Sequence, residues 1–254
     1  MGALHVGHSS LMDVARTEAD IIIVSAFVNP LQFGNPDDFA LYPSTRANDE
    51  DVCRQHGVHV LYRPEPAVMY PDGFGTSVHV SHLADILEGS SRPGHFDGVA
   101  TVVAKLFNAA RPNVAVFGEK DYQQVAVIRR MLVDLDMNIR LVVAPTVRDS
   151  DGLAMSSRNV RLNPEARRSA SKLHRALTTA VTAFSNGTTG VRDLDETIRT
   201  ICADPLITVD YVEIVDAVTL ERVQQACAGN VVLIAATVGG IRLIDNIRLG
   251  APLT

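Results

Sequence analysis

Two histidines three residues apart, in His5-Val6-Gly7-His8, stand directly ahead of an apolar stretch, residues 11–15, that reads as the opening of a helix. Backbone N–H groups and aligned peptide dipoles favour an anion at a helix N-terminus. The imidazoles can add hydrogen bonds to the same anion, and Gly7 removes a side chain where a flat base or ribose could approach. The alternative is a pair of solvated histidines on a frayed terminus. A second cluster, Gly118-Glu119-Lys120-Asp121-Tyr122-Gln123-Gln124, follows the apolar run 114–117. Lys120 can meet a phosphate, Asp121 can cap a helix or bind a sugar hydroxyl, and Gln124 falls one turn beyond Lys120 on the same side. A helix cap with a solvated lysine would use the same letters. In Met155-Ser156-Ser157-Arg158, two hydroxyls and a guanidinium suit a clamp over a triphosphate, or simply an exposed polar loop.

Two further polar segments stand out. Asn29-Pro30-Leu31-Gln32-Phe33-Gly34 follows the strongest apolar run, and Gln32 is a neutral donor and acceptor suited to a substrate hydroxyl or carboxylate. Arg92-Pro93-Gly94-His95-Phe96-Asp97-Gly98 reads as a turn or a subunit contact before it reads as a substrate loop.

These segments need elements to hold them. The run 21–28 is nearly all apolar, as in a parallel strand buried on both faces, and 58–62, 114–117 and 139–143 look similar. Helices are expected at about 46–56, 97–110 and 121–135, the last with Val125, Ile128, Leu132 and Leu135 on one face. Alternating strands and helices predict a doubly wound α/β sheet, whose ligands lie at the C-terminal strand ends. After Asp149-Ser150-Asp151-Gly152 the texture changes. Helices from Pro164 to about 184 and at 191–203 precede strands at 208–215, 231–237 and 241–248, with Gly239-Gly240 as a hairpin signal. The expected division is a larger Rossmann-like domain, 1–146, and a smaller α+β domain, 147–254.

Composition excludes several classes. A net charge of −6 offers no overall basic field for nucleic acid. Cys53, Cys202 and Cys227 have no metal-ligand or disulfide spacing, no apolar run suits a membrane span, and no signal peptide is visible. A cytoplasmic protein is expected.

The histidine pair followed far downstream by the 155–158 loop is the two-part pattern of nucleotidylyl-transfer folds. With the segments containing Gln32, His95 and Lys120, in that order and over essentially the whole chain, the sequence resembles the pantoate–β-alanine ligases. The resemblance implies a two-step ligase. Pantoate's carboxylate attacks the α-phosphorus of Mg-ATP to give pantoyl adenylate and pyrophosphate, and the amine of β-alanine then displaces AMP. By resemblance His5, His8, Lys120, Ser156, Ser157 and Arg158 surround the phosphates, with His8 as proton donor. Met1, Gly2, Ala3, Leu4, Val6, Gly7, Gly118, Glu119, Asp121, Val147 and Met155 would border the nucleotide. Gln32 and Gln124 would hold pantoate, with Gln32 also near β-alanine. Magnesium would enter mainly on ATP oxygens, so no protein ligand is assigned. A homodimer formed through the larger domain and a second domain acting as a lid are also implied.

Two departures from the family pattern are visible. Val6 stands where the family commonly has Glu. Family members also carry further residues ahead of this Met, including the first and central strand of the sheet, so an N-terminally truncated product or a wrongly chosen start is expected. The alternative function is then an inactive or weakly active form that only binds nucleotide or dimerises. A nucleotidyltransferase that attaches AMP to a phosphate ester is a further competitor, although its acceptor would call for more basic residues than Gln32 and Gln124 supply.

Overall fold

The computed structural model describes residues 2–33 and 45–251. Helix α1, Val6–Glu18, starts where His5 leaves the helical region (φ −135°, ψ 175°), and the His5 and His8 rings accept orphan backbone N–H groups in a reciprocal capping box. Strand β1 (Ile23–Ser25), helix α2 (Arg46–Gln55) and strand β2 (Val60–Tyr62) follow. β1 and β2 are parallel, with Ile23 opposite Val60, and α2 lies in the crossover that parallel pairing requires. Met12, Ile22, Val24 and Cys53 form a small core with Leu4. The 21–28 run does not behave as a strand buried on both faces. Ile22 and Val24 are buried, but Ile21 and Ile23 are 67% and 42% exposed, so over residues 21–24 one face is covered and the other is not.

Helix α3 (His95–Ala110), strand β3 (Val114–Gly118), helix α4 (Tyr122–Asp134) and strand β4 (Arg140–Ala144) complete the first half. β3 and β4 are parallel, with Val114 opposite Arg140. On α4, Val125, Ile128 and Leu132 are buried as their spacing predicts, whereas Leu135 falls at the C-cap and is 49% exposed. The fold is α/β, yet among the described residues no ladder joins β1 to β3. The parallel strands form two pairs rather than one continuous sheet.

The chain divides into two compact units, Met1–Pro145 and Thr146–Thr254. In the second, helix α5 (Pro164–Ser185) begins with Pro at its first turn and the Asn163 side chain accepting from the Ala166 N–H, the expected start signals. Helix α6 (Val191–Ile201) and strands β5 (Ile207–Val215), β6 (Val231–Val238) and β7 (Ile241–Arg248) follow. The strands form an antiparallel sheet in the order β5-β6-β7. Gly239 and Gly240, with φ of 53° and 81°, make the turn between β6 and β7, where side chains carrying a Cβ are strained. Leu173, Leu177, Leu194, Ile198 and Ile234 are the centre of its core. No helix among the described residues is long and apolar enough to cross a membrane.

Candidate active site

The capping geometry of α1 sets the chemistry of its two histidines. Nδ1 of His5 accepts the Gly7 N–H at 3.2 Å, and Nδ1 of His8 accepts the His5 N–H at 3.3 Å. A ring nitrogen that accepts a backbone N–H carries no proton, so the proton of each neutral ring sits on Nε2. The ring centroids are 4.0 Å apart. Burial, then the neighbouring His5 and Lys120, push the His8 imidazole down from its ordinary 6.5 to about 3. At neutral pH it is therefore an uncharged Nε2–H donor beside the N–H groups of a helix start.

Asp49 on α2 holds the segment leading into this helix. Its buried carboxylate accepts the Leu4 N–H at 2.8 Å, the Ala3 N–H at 3.2 Å and the Thr45 hydroxyl at 2.8 Å. Ala3 takes a left-handed φ of 50°, so the approach is specified rather than slack. Sequence reasoning missed Asp49, because one Asp in a polar helix gives no sign of a partner 45 residues away. Of the residues expected to border the nucleotide, Leu4 buries its side chain in the small core and leaves only backbone to a ligand. Gly2 is buried, Val6 is 63% exposed, and Met1 lies outside the described residues.

Lys120 and Asp121 come from the 3-10 turn Glu119–Asp121 at the C-terminal end of β3. The Lys120 ammonium donates to Asp121 Oδ1 at 3.3 Å. Burial pushes the Asp121 carboxyl up, but Lys120, through its charge and hydrogen bond, with His95 and His8 beyond it, holds the group below the ordinary carboxylate range. Asp121 does not cap α4 with its side chain, contrary to one reading of the sequence, because that carboxylate is turned to Lys120. A Cβ on Gly118 would meet Leu11 at an ordinary 3.8 Å, so packing does not demand glycine there.

The adjacent glutamines divide sharply. Gln123 is buried, donating to the Leu83 and Ile86 carbonyls at 2.8 Å each and accepting the Glu88 N–H at 3.1 Å. Gln124 makes no side-chain hydrogen bond among the described residues, and neither does the side chain of Gln32. The latter ends the 3-10 turn Pro30–Gln32, whose cap is Asn29. Asn29 is buried, accepts from Leu31 N–H at 3.2 Å and from the Tyr70 hydroxyl at 2.7 Å, and donates to the Gly98 carbonyl at 2.9 Å. The Gln32 carbonyl in turn meets Arg92 Nη2 at 3.1 Å and His95 Nδ1 at 2.8 Å. Burial, then the Arg92 charge, push His95 down to about 4, while Asp121 acts on it in the opposite direction. His5, His8, Lys120, Asp121, His95 and the Gln32 turn therefore share one electrostatic neighbourhood in the first unit.

In the second unit, an isolated antiparallel bridge pairs Arg148 with Ala154 around the turn at Asp149 and Gly152. Arg148 reaches both oxygens of buried Asp245, at 2.6 and 2.9 Å, and the Gly152 carbonyl at 3.2 Å. Arg167 holds Asp149 and Asp151 at 2.7 Å each. Met155 N–H donates to the Val147 carbonyl at 2.9 Å, and the Ser156 hydroxyl accepts from Arg158 N–H at 3.2 Å, opening the 3-10 turn Ser157–Arg161. Ser156, Ser157 and Arg158 thus sit on a braced turn, whose Asp245 anchor the sequence did not advertise.

A family model described as Pantoate-beta-alanine ligase matches residues 1–248. The chain is 48% identical to the pantothenate synthetase of Chlorobium phaeovibrioides over 99% of its own length and 87% of that protein's. Among solved structures, pantothenate synthetase from Thermus thermophilus superposes with a TM-score of 0.94 at 44% identity, covering 97% of this chain and 90% of that one. Pantoate-beta-alanine ligase from Francisella tularensis, complexed with beta-gamma ATP and beta-alanine, gives a TM-score of 0.81 at 35% identity over 99% of this chain and 88% of that one. The agreement extends through both units, spanning the stretches that hold the histidine pair, the glutamine turn and the braced serine loop, and the chain belongs to the pantoate–β-alanine ligase family.

Proposed function

We propose that the chain condenses pantoate with β-alanine to form pantothenate, using Mg-ATP and passing through pantoyl adenylate. The observation that carries this reading is the histidine pair at the start of α1, with Nδ1 of each ring accepting a backbone N–H and His8 held neutral, close to the Lys120 ammonium, in a chain whose family match spans residues 1–248. A pantoate carboxylate oxygen bonds to the α-phosphorus as the bond to pyrophosphate breaks. The amine of β-alanine then bonds to the acyl carbon, AMP leaves, and the amine gives up a proton. His5, His8 and Lys120 supply donors and charge to the phosphates, where preorganised donors lower the barrier most. A triphosphate beside His8 would raise its proton affinity and equip it to protonate the departing pyrophosphate. Gln32 and Gln124 offer their side-chain amides to the hydroxyls and carboxylate of pantoate.

Gly2, Ala3, Leu4, Val6, Gly7, Gly118, Glu119, Asp121, Val147 and Met155 are assigned to the nucleotide, and Ser156, Ser157 and Arg158 to its phosphates from the second unit. That unit would serve as a lid keeping water from the acyl adenylate. Magnesium would arrive with ATP as part of the substrate, bound mainly through ATP oxygens. A cytoplasmic homodimer, associating through the first unit, completes the proposal. The match over residues 1–248 does not favour the binding-only alternative.

The test is the purified chain with ATP, pantoate and β-alanine, assayed for pantothenate and AMP in equal amounts. Exchange of labelled pyrophosphate into ATP should require pantoate and no phosphate ester. A folded sample that yields no pantothenate under these conditions would sink the reading.

A further inference from the structure

The Arg92-Pro93-Gly94-His95-Phe96-Asp97-Gly98 segment has a role that its letters left open between a turn, a subunit contact and a substrate loop. Three of its residues converge on the Gln32 turn. Arg92 Nη2 donates to the Gln32 carbonyl at 3.1 Å, and His95 Nδ1 lies 2.8 Å from the same oxygen. Arg92 Nη1 also meets His95 Nε2 at 3.3 Å. A guanidinium only donates and a carbonyl only accepts, so both contacts are satisfied by one state: neutral His95 with its proton on Nδ1. Arg92 thereby fixes the tautomer that His95 needs to grip Gln32.

Gly98 supplies the third constraint. A Cβ there would lie 2.5 Å from the Leu31 carbonyl oxygen and 2.8 Å from the Gln32 nitrogen, so a side chain would expel the turn. The Gly98 carbonyl meanwhile accepts from buried Asn29 at 2.9 Å. Hydrogen bonds and close backbone approach therefore define one location for Gln32, whose side-chain amide makes no hydrogen bond among the described residues.

We propose that Arg92, His95 and Gly98 are positioning residues for Gln32, acting on the hydroxy-acid substrate through that glutamine without touching the nucleotide. This rests on the assignment of Gln32 to pantoate. A glutamine amide can reorient readily, and holding its backbone reduces the freedom it must lose on binding substrate.

The experiment is steady-state kinetics of the full chain, with pantoate-dependent pyrophosphate exchange, for His95→Ala, His95→Asn, His95→Gln and Gly98→Ala. Each is made with Gln32 present and in a Gln32→Ala background. His95→Ala should raise KM for pantoate about tenfold with KM for ATP within about twofold, and should have almost no added effect once Gln32 is Ala. His95→Asn, whose amide N–H can stand near Nδ1, should recover most of the loss, while His95→Gln, reaching toward the Nε2 position, should not. Gly98→Ala should resemble His95→Ala. Circular dichroism confirms that each variant is folded, and the Asn and Gln pair decides the matter should the alanine variants unfold. Equal rises in both KM values, equal behaviour of Asn and Gln, or an undiminished His95 effect in the Gln32→Ala background would each overturn the proposal. If Gln32→Ala alone leaves the pantoate KM unchanged, the assignment of Gln32 itself fails and the proposal falls with it.

Discussion

The two units stabilise themselves by different means. The second rests on three strands of eight or nine residues and two helices around a continuous aliphatic core, with Leu177, Leu194 and Ile198 fully buried. The described strands of the first have three to five residues, and this unit buries Asn29, Asp49, Glu88 and Gln123. Each of these polar groups whose partners are described above ties a chain segment to a residue distant in sequence. The one buried ion pair described in the second unit, Arg148 with Asp245, does the same for the turn before Ser156. Apolar burial makes an element stay folded, whereas a satisfied buried polar group also dictates which geometry it adopts. Asn29, Asp49 and Asp245 do this for the segments beside Gln32, His5 and Ser156.

The largest expected effect comes from breaking that rule in the second unit. Asp245→Ala would leave Arg148, 17% exposed in its side chain, without its carboxylate. A loss of about 3–5 kcal/mol is expected in urea unfolding, since removing one partner leaves an uncompensated buried charge. A loss no greater than that of an exposed pair such as Arg199→Ala would show that this turn needs no such anchor.

In the first unit, His8→Ala should reduce the rate of pantoate-dependent pyrophosphate exchange about a hundredfold, the usual scale for one preorganised donor. Unfolding should change far less than for Asp245→Ala. An unaltered exchange rate would remove His8 from the chemistry.

The neighbouring glutamines sharpen the contrast within one turn of helix. Gln123→Ala strands the Glu88 N–H and the carbonyls of Leu83 and Ile86, and should cost about 1–3 kcal/mol of stability. Gln124→Ala should stay within about 0.5 kcal/mol in unfolding while raising the pantoate KM. Thermal melts and substrate titrations on the two variants check this directly, and interchanged results would refute the division.

A further expected effect is a pH dependence of stability. His8 and His95 stand at about 3 and about 4 in the folded chain, below their ordinary 6.5. Below pH 6.5 the unfolded chain thus binds protons that the folded one refuses. Their stabilising contribution is full above that point and declines as the pH falls through the window toward 4. Urea midpoints should drop between about pH 7 and pH 5, and the slope should flatten in His95→Asn. An unchanged slope in that variant would mean His95 is not held neutral by its surroundings.

Much of the molecule was legible because it is local. Helix α5 announces itself through Asn163, Pro164 and a long periodic face, and the strands β6 and β7 through apolar runs around Gly239 and Gly240. The 21–28 run misled, since composition records that a segment is apolar but not how many of its faces find neighbours. The candidate site was legible to the same extent. His5, His8, Lys120, Gln32 and the serine loop show in types and spacing, and the family pattern joins them.

What the residues alone determined was the element order and the chemical groups on offer. Tertiary structure decided how those groups are set: which of two adjacent glutamines is structural, which nitrogen of His95 carries its proton, and that Asp49 and His95 brace the segments they meet. Those outcomes depend on partners tens of residues away, such as Leu4 for Asp49 and Gln32 for His95. A sequence pattern repeats with the geometry of its own helix or strand, and carries no record of which distant backbone group will arrive to share a hydrogen bond.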